Sequence, residues 1–363
     1  MTATLYSKHT EIFTLPYLNK IHKLIILLFF ILISSTANAR SKLYNPLPAL
    51  SANQLGVIVN DSDPLSIKIA KYYQLKRNIP EHNIIHIHFN PKHKKLPVKV
   101  FKKLKKIVDS NTPKNIQAYA LTWMNTYRVG CMSITTAFAA GYDESFCAKG
   151  CKKTKLSPYF NSEKNLPYTT YKWRPTMALA GHTFSDVKSL IDKGVSSDYS
   201  HPQGSAYLLH TSDKARSTRS SLFPQITRQF NNIWPINIVN KDYIENKKDV
   251  MFYFTGKKHI KKIKSNHFLP GAVADHLTST GGVLPGSKQM SIIKWIKAGA
   301  TGSYGAVIEP CNYIQKFPRP GIMMHYYLRG NSLIEAYWKS VAWPGQGIFI
   351  GEPLAKPFAY ASH

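Results

Sequence analysis

The chain is 363 residues long and carries 48 lysines and arginines against 19 aspartates and glutamates, a formal charge of +29. That length supplies core for one large domain or two small ones. The charge favours anionic partners through its summed field, yet lysines occur in nearly every segment, so it reads first as solvated faces.

Residues 1–39 read as a signal peptide. Lys20, His22 and Lys23 lead into the apolar run Leu24–Ile33, and Ala37-Asn38-Ala39 closes an A-x-A cleavage site. The run is shorter than the roughly 20 residues a membrane span needs, and no later run approaches that length. The expectation is an exported protein, periplasmic or extracellular, cleaved after Ala39, with no transmembrane segment in the mature chain. Removing Lys8, Lys20, Lys23 and Glu11 leaves +27 on residues 40–363. Export also argues against nucleic acid as the physiological partner.

Leu55–Asn60 (LGVIVN) predicts a buried strand, Asp61–Pro64 a turn with an N-cap, and Leu65–Arg77 an amphipathic helix. Asn78-Ile79-Pro80 stops it. Asn83–Phe89 alternates as a strand with His86 and His88 on one face; no third ligand is near, so they read as polar-face residues and no metal is expected. Lys92–Lys106 (KHKKLPVKVFKKLKK) carries the apolar stripe Val98, Phe101, Leu104 and Val108 under a basic outer face, which predicts a surface helix. Ile116–Trp123 is the next strand. This βαβαβ order implies a parallel sheet with helices on its faces.

Tyr127–Pro175 breaks the rhythm. It is rich in Gly, Ser, Tyr and Pro, holds three of the four cysteines, and reads as an insertion or long functional loop. Helix Ser185–Lys193, strand Ser205–Thr211, a polar helix over Ala215–Asn231 and apolar runs at Pro235–Asn240 and Asp249–Thr255 follow. Asn266–Pro318 then holds two helices, the first carrying Asp275 and His276, a small-residue strand at Thr301–Ile308 and a polar turn ending in Cys311. Helices over Ile322–Arg329 and Ser332–Val341 and a last strand within Gln346–Phe358 complete the chain.

Function is expected in Asn266–Pro318, where Asp275, His276, Glu309 and Cys311 fall at or near element ends. A cysteine nucleophile needs a histidine close enough to make thiolate, and backbone donors for the oxyanion. Cys311 is the candidate, with His276 or His259 as its base. On a helix Asp275 and His276 would point about 100° apart, so Asp275 faces a different partner. His210, Arg216 and Arg219 form a second polar cluster after a strand, where two arginines one turn apart can hold a carboxylate or phosphate. No G-x-S-x-G elbow, Walker A, dinucleotide fingerprint or H-E-x-x-H is present. No nucleotide, other cofactor or metal is therefore expected.

Four cysteines in an exported chain usually pair, in one of three ways. The tight CAKGC loop favours Cys147–Cys151. Cys131 and Cys311 then remain, each following a strand expected to be parallel, and they can meet at the carboxyl strand ends.

Several segments spread over residues 40–363 resemble an uncharacterised family of exported bacterial proteins. They include GVIVNDSDPLSIKIAKYYQLKRNIP, RVGCMSITTAFAAGYD, CAKGC, PGAVADHLTSTGG, GATGSYGAVIEPCNYIQKFP and EAYWKSVAWPGQGIFIGEPLAKPF. That family occurs in genomes that encode exosortase, the presumed sorting enzyme for proteins with a Pro-Glu-Pro C-terminal signal. The resemblance implies export and a link to surface-protein sorting or exopolysaccharide. More distantly, the layout resembles the gingipain-like cysteine peptidases, whose caspase-like α/β sandwich bears His-Gly after one strand and Cys after the next. Here the first position falls in Thr255-Gly256-Lys257-Lys258, without His-Gly and with His259 nearby. Phe268–Ala274, where the nucleophile would come, has no cysteine, and Cys311 lies beyond it.

The expected fold is thus a doubly wound, mainly parallel α/β sandwich, caspase- or gingipain-like, with a cysteine-bearing insertion at about 127–175. The expected function is binding of a peptide or glycan in the cell envelope at the carboxyl strand edge, without the standard His/Cys dyad. The alternative is a cysteine peptidase or thiol hydrolase using Cys311 with His276 or His259. A third reading is a non-enzymatic component bound to anionic surfaces of the envelope.

Overall fold

The apolar runs become β1 (Leu55–Asn60), β2 (Ile84–Ile87), β3 (Lys95–Leu96), β4 (Ala118–Leu121), β5 (Arg128–Val129), β6 (Met132–Ser133) and β7 (Thr176–Ala178). They continue as β8 (Ser205–Leu209), β9 (Ile236–Val239), β10 (Val250–Thr255), β11 (Phe268–His276), β12 (Gly302–Ala306) and β13 (Gly347–Gly351). The structure is a computed structural model and describes residues 45–361. The signal-peptide reading of residues 1–39 lies outside the described residues. From Pro46 onward the chain forms one compact unit.

Ten strands join one sheet in the order β2-β1-β4-β7-β13-β12-β11-β10-β8-β9, and β3, β5 and β6 form a small second sheet. Within the large sheet β13 meets β12 antiparallel, Gly302 opposite Gly351 and Ala306 opposite Gly347. The other pairings are parallel. The sheet is therefore two parallel halves that run in opposite directions, with their carboxyl ends on opposite edges. Helices cover both faces. Tyr253 of β10 packs edge-on against Trp295 of the Ile293–Ala298 helix, while its neighbour Phe252 packs against Tyr327 of the Pro320–Leu328 helix. The mainly parallel α/β class is the one the sequence predicts.

Several elements differ from the sequence reading, among them the buried helix Ile134–Ala140 inside the stretch read as a long loop. Phe268–His276 is a strand, not a helix. Its last six residues are all buried, and burial on both faces removes the alternation that marks a strand in sequence. The basic helix runs from Val98 to Asn111, later than expected, because Lys95–Leu96 pairs with β5 and Pro97 takes the N-cap. The polar helix at Ala215–Asn231 begins as 3-10 turns over Ser217–Leu222 and becomes α-helical at Phe223–Phe230.

At the antiparallel seam Gly347 opens β13 against Tyr304. A Cβ at Gly347 would fall 1.6 Å from the Tyr304 hydroxyl, which is buried and donates to the Lys316 carbonyl at 2.7 Å. Gly347→Ala is expected to cost about 1–3 kcal/mol by overpacking, read as a lower urea midpoint. An unchanged midpoint would mean that the seam yields without loss.

Candidate functional site

β8, β11 and β12 belong to the same half, so their carboxyl ends share an edge. The loops leaving them enclose a pocket of about 250 Å³. Ala215 and Arg216 come from the loop after β8, Leu277, Thr278 and Ser279 from the end of β11, and Glu309 to Asn312 from the turn after β12. Cys151 arrives from the insertion. Gly256, at the end of β10, admits the Arg216 segment: a Cβ there would lie 1.8 Å from the Arg216 carbonyl.

Arg216 is fixed in one wall. Its Nη1 donates to Asp213 Oδ2 at 2.9 Å and its Nε to Thr278 Oγ1 at 3.1 Å. Thr278 in turn donates to Gln289 Oε1 at 2.7 Å, which also accepts the Thr280 N–H at 2.8 Å. In the facing wall Glu309 shapes its own turn, with Oε1 accepting the Cys311 N–H at 2.7 Å. Asn312 donates to the Ala215 carbonyl at 3.1 Å and ties the two walls together.

The cysteines form two bridges, Cys131–Cys147 and Cys151–Cys311. The expected Cys147–Cys151 bond does not form, and Cys131 does not meet Cys311. The CAKGC loop is a turn, with the Cys151 N–H on the Ala148 carbonyl at 3.2 Å, that presents its two sulfurs to different partners. β4 and β12 lie in oppositely directed halves, so the strands before Cys131 and Cys311 share no carboxyl edge. It is the insertion that carries Cys151 to Cys311. Both cysteines of that bridge have positive φ, 60° and 58°, a conformation costing a non-glycine residue roughly 1–2 kcal/mol. Buried Lys316 secures both limbs: its Nζ donates to the Pro310 carbonyl at 2.7 Å and the Lys152 carbonyl at 3.0 Å, each adjacent to a bridged cysteine. Burial lowers the Lys316 pKa to about 8, against the pull of Glu309.

Asp275 and His276, consecutive on β11, face opposite sides of the sheet. The His276 Nε2 donates to the Met290 carbonyl at 3.0 Å, and Nδ1 accepts the Trp295 indole N–H at 2.9 Å. This pattern assigns the neutral tautomer with its proton on Nε2. Burial pushes the His276 pKa down to about 3; the Met290 acceptor opposes that and the charge on Arg219 adds to it. No lone pair is left for a thiol. Asp275 meets Arg219 Nη2 at 2.6 Å on the other face, both fully buried. The aligned bonds of Arg219 go to the Thr255 carbonyl at 2.6 Å and the Pro318 carbonyl at 3.1 Å, and neither Asp275 oxygen receives an aligned donor. The contact is thus an ion pair at close range without hydrogen-bond geometry. Burial pushes Asp275 up to about 6 despite the neighbouring guanidinium.

His210 is exposed, with its backbone N–H on the Val239 carbonyl at 3.0 Å. His259 is exposed too, with Nε2 3.1 Å from the Lys288 carbonyl. His86 and His88 both flank Asp61, at 2.8 and 3.4 Å. The pocket thus gathers Arg216, Glu309 and Cys311, and Asp275, His276, Arg219, His210 and His259 lie outside its lining. Sequence reasoning misses Thr278, Gln289 and Lys316. Reading Phe268–His276 as a strand would have put Thr278 just past its carboxyl end, where ligands gather. Lys316, inside YIQKFP, carries no such signal.

No protein-family model and no curated protein matches the chain. Among solved structures it is similar to the crystal structure of the Arg-specific cysteine proteinase gingipain R (RGPB), at 10% identity and a TM-score of 0.45, over 86% of this chain and 80% of that one. It is also similar to the complex of Porphyromonas gingivalis RgpB pro- and mature domains, at 8% identity and a TM-score of 0.43, over 84% of this chain and 80% of that one. Likeness at this level says nothing about activity.

Replacing Cys151 and Cys311 together by serine removes a crosslink between residues 160 apart. The expected loss is about 2–5 kcal/mol, and a variant as resistant to guanidinium as the parent would show that the bridge imposes no useful constraint. For His276 the folded pKa lies near 3, below the roughly 6.5 of an unfolded histidine. Its neutral burial therefore contributes fully above pH 6.5, and that stability is lost as pH falls toward 3. His276→Gln should flatten the stability–pH slope between pH 6 and 4 by up to about 1.4 kcal/mol per pH unit; parallel slopes would refute the buried neutral imidazole.

Proposed function

We propose that the protein is an exported binding protein that seats one side chain of a peptide or one sugar of a glycan between Arg216 and the Glu309–Asn312 turn. The pocket volume carries this reading. About 250 Å³ is less than the roughly 300–1,000 Å³ of sites for drug-sized ligands, so a single unit of a polymer fits. Arg216 and Glu309 offer opposite charges, and Thr278, Ser279 and Asn312 add neutral polar groups. That set suits hydroxyls, amides and carboxylates.

Export is supported by the leader pattern of residues 1–39 and by two disulfides, which persist in oxidising compartments. No helix among the described residues is long and apolar enough to cross a membrane. The gingipain-like scaffold without its standard dyad, and the setting of surface-protein sorting or exopolysaccharide, rest on the sequence resemblances. The thiol-hydrolase alternative would first need Cys151–Cys311 reduced, and then a base other than His276.

Purified protein applied to a glycan array and an immobilised peptide library should retain ligands, and Arg216→Ala should weaken the best of them by about ten-fold or more. Peptide turnover that Cys311→Ala abolishes would overturn the reading in favour of the hydrolase. Binding indifferent to Arg216→Ala would place the site elsewhere.

A further inference from the structure

The helix Val98–Asn111 turns Phe101, Leu104 and Val108 into the core, which fixes the face it leaves outward. Lys99, Lys102, Lys103 and Lys106 are exposed on it, and Lys92, Lys94 and Lys95 are exposed just ahead of it. Only Lys105 has a carboxylate partner here, Asp109; among the described residues the seven exposed lysines have none. Exposed lysines without a carboxylate partner occur elsewhere too, Lys261, Lys262 and Lys264 among them, but here seven fall between residues 92 and 106. Like charges on adjacent helical turns repel, so this array is short of an anion that the protein does not supply.

Two further features say which anion. A groove of about 430 Å³ runs beside the helix, bordered by Lys102, Lys105, Lys106 and Asp109 on one side and by Gly141 and Tyr142 on the other. With Lys105 held by Asp109, the ammonium groups of Lys102 and Lys106 and the Tyr142 phenol remain, and they suit a phosphate. On another flank Val100 and Ile107 are 40% and 45% exposed. They are seven residues apart, about 10 Å along one side of the helix. Branched apolar side chains beside a cation array gain nothing from a dissolved polyanion, but they can enter the acyl boundary of a bilayer while the lysines stay among its headgroups.

We propose that this helix is a docking surface for an anionic lipid bilayer, with a phosphate headgroup in the groove at Lys102, Lys106 and Tyr142. The test is co-sedimentation of the purified protein with phosphatidylglycerol/phosphatidylcholine vesicles and with phosphatidylcholine vesicles alone, at low and high salt. Binding should be confined to the anionic vesicles and should fall with salt. The joint variant Lys99→Gln, Lys102→Gln, Lys103→Gln, Lys106→Gln should lose about a hundred-fold or more in partitioning, with an unchanged melting curve to show that it folds. Val100→Ser with Ile107→Ser should lose several-fold while keeping every charge. The proposal is overturned if the lysine variant partitions like the parent, if neutral vesicles bind equally, or if soluble polyphosphate is retained and vesicles are not. A loss on charge removal alone, with the apolar pair without effect and soluble polyphosphate displacing the vesicles, would replace the bilayer by a dissolved polyanion.

Discussion

The antiparallel contact of β12 with β13 sets the architecture. β13 is the last strand of the chain, yet it lies between β7 and β12, in the middle of the sheet. One half gains its last strand, and the other the neighbour of its β12 edge, only when residues 347–351 are in place. The same segment continues into Glu352, which is buried and pairs with Arg77 of the Pro64–Arg77 helix while accepting the Tyr73 hydroxyl at 2.6 Å. Arg77 also meets Asp198, at the end of the Phe184–Ser197 helix. The segment after β13 thus locks the Pro64–Arg77 helix through charges that are costly to bury singly and tolerable only as a set. Contacts of such sequence separation delay folding until late pairings form, and they make the structure sensitive to changes at the seam.

The seam also explains what could and could not be read from sequence. β1, β8, β10 and the helix Pro64–Arg77 are legible because each is an apolar run or stripe bounded by turn residues, and those cues are local. β7 is three residues long, too short for any period to show. β11 hides because both of its faces are covered. Strand direction is a matter of partners far along the chain, so the reversal between β13 and β12 has no local trace. The favoured Cys147–Cys151 bridge rests on the short CAKGC loop, and the meeting of the remaining Cys131 and Cys311 on a shared strand edge that the reversal removes.

Part of the site was legible on similar grounds. Glu309, Cys311 and Arg216 are polar residues in short turns after strands, and they do face the pocket. His276 and Asp275 look alike in sequence but are the last two residues of β11, inside the layers. There Trp295 and Met290 saturate the imidazole, and Arg219 accompanies the carboxylate. The difference is a matter of two residues: Thr278, just past β11, lines the pocket and His276, its last residue, does not. Polar residues flanking a strand end therefore need a register before they acquire a role, and register is set by the neighbouring strands β10 and β12.

The pocket and the basic helix depend on different parts of the sheet. The helix packs on β2, the outermost strand of one half, and the pocket is built from loops after β8, β11 and β12 in the other. They share no residue, so substitutions in one should leave the other unchanged. This separation gives the proposed activities a consistent geometry. A cationic face can hold the protein against a surface through many weak, salt-sensitive contacts, and a small pocket elsewhere on the sheet can select one unit of a polymer. Attachment then raises the local concentration of the pocket near whatever that surface carries, so modest affinity at the pocket is sufficient.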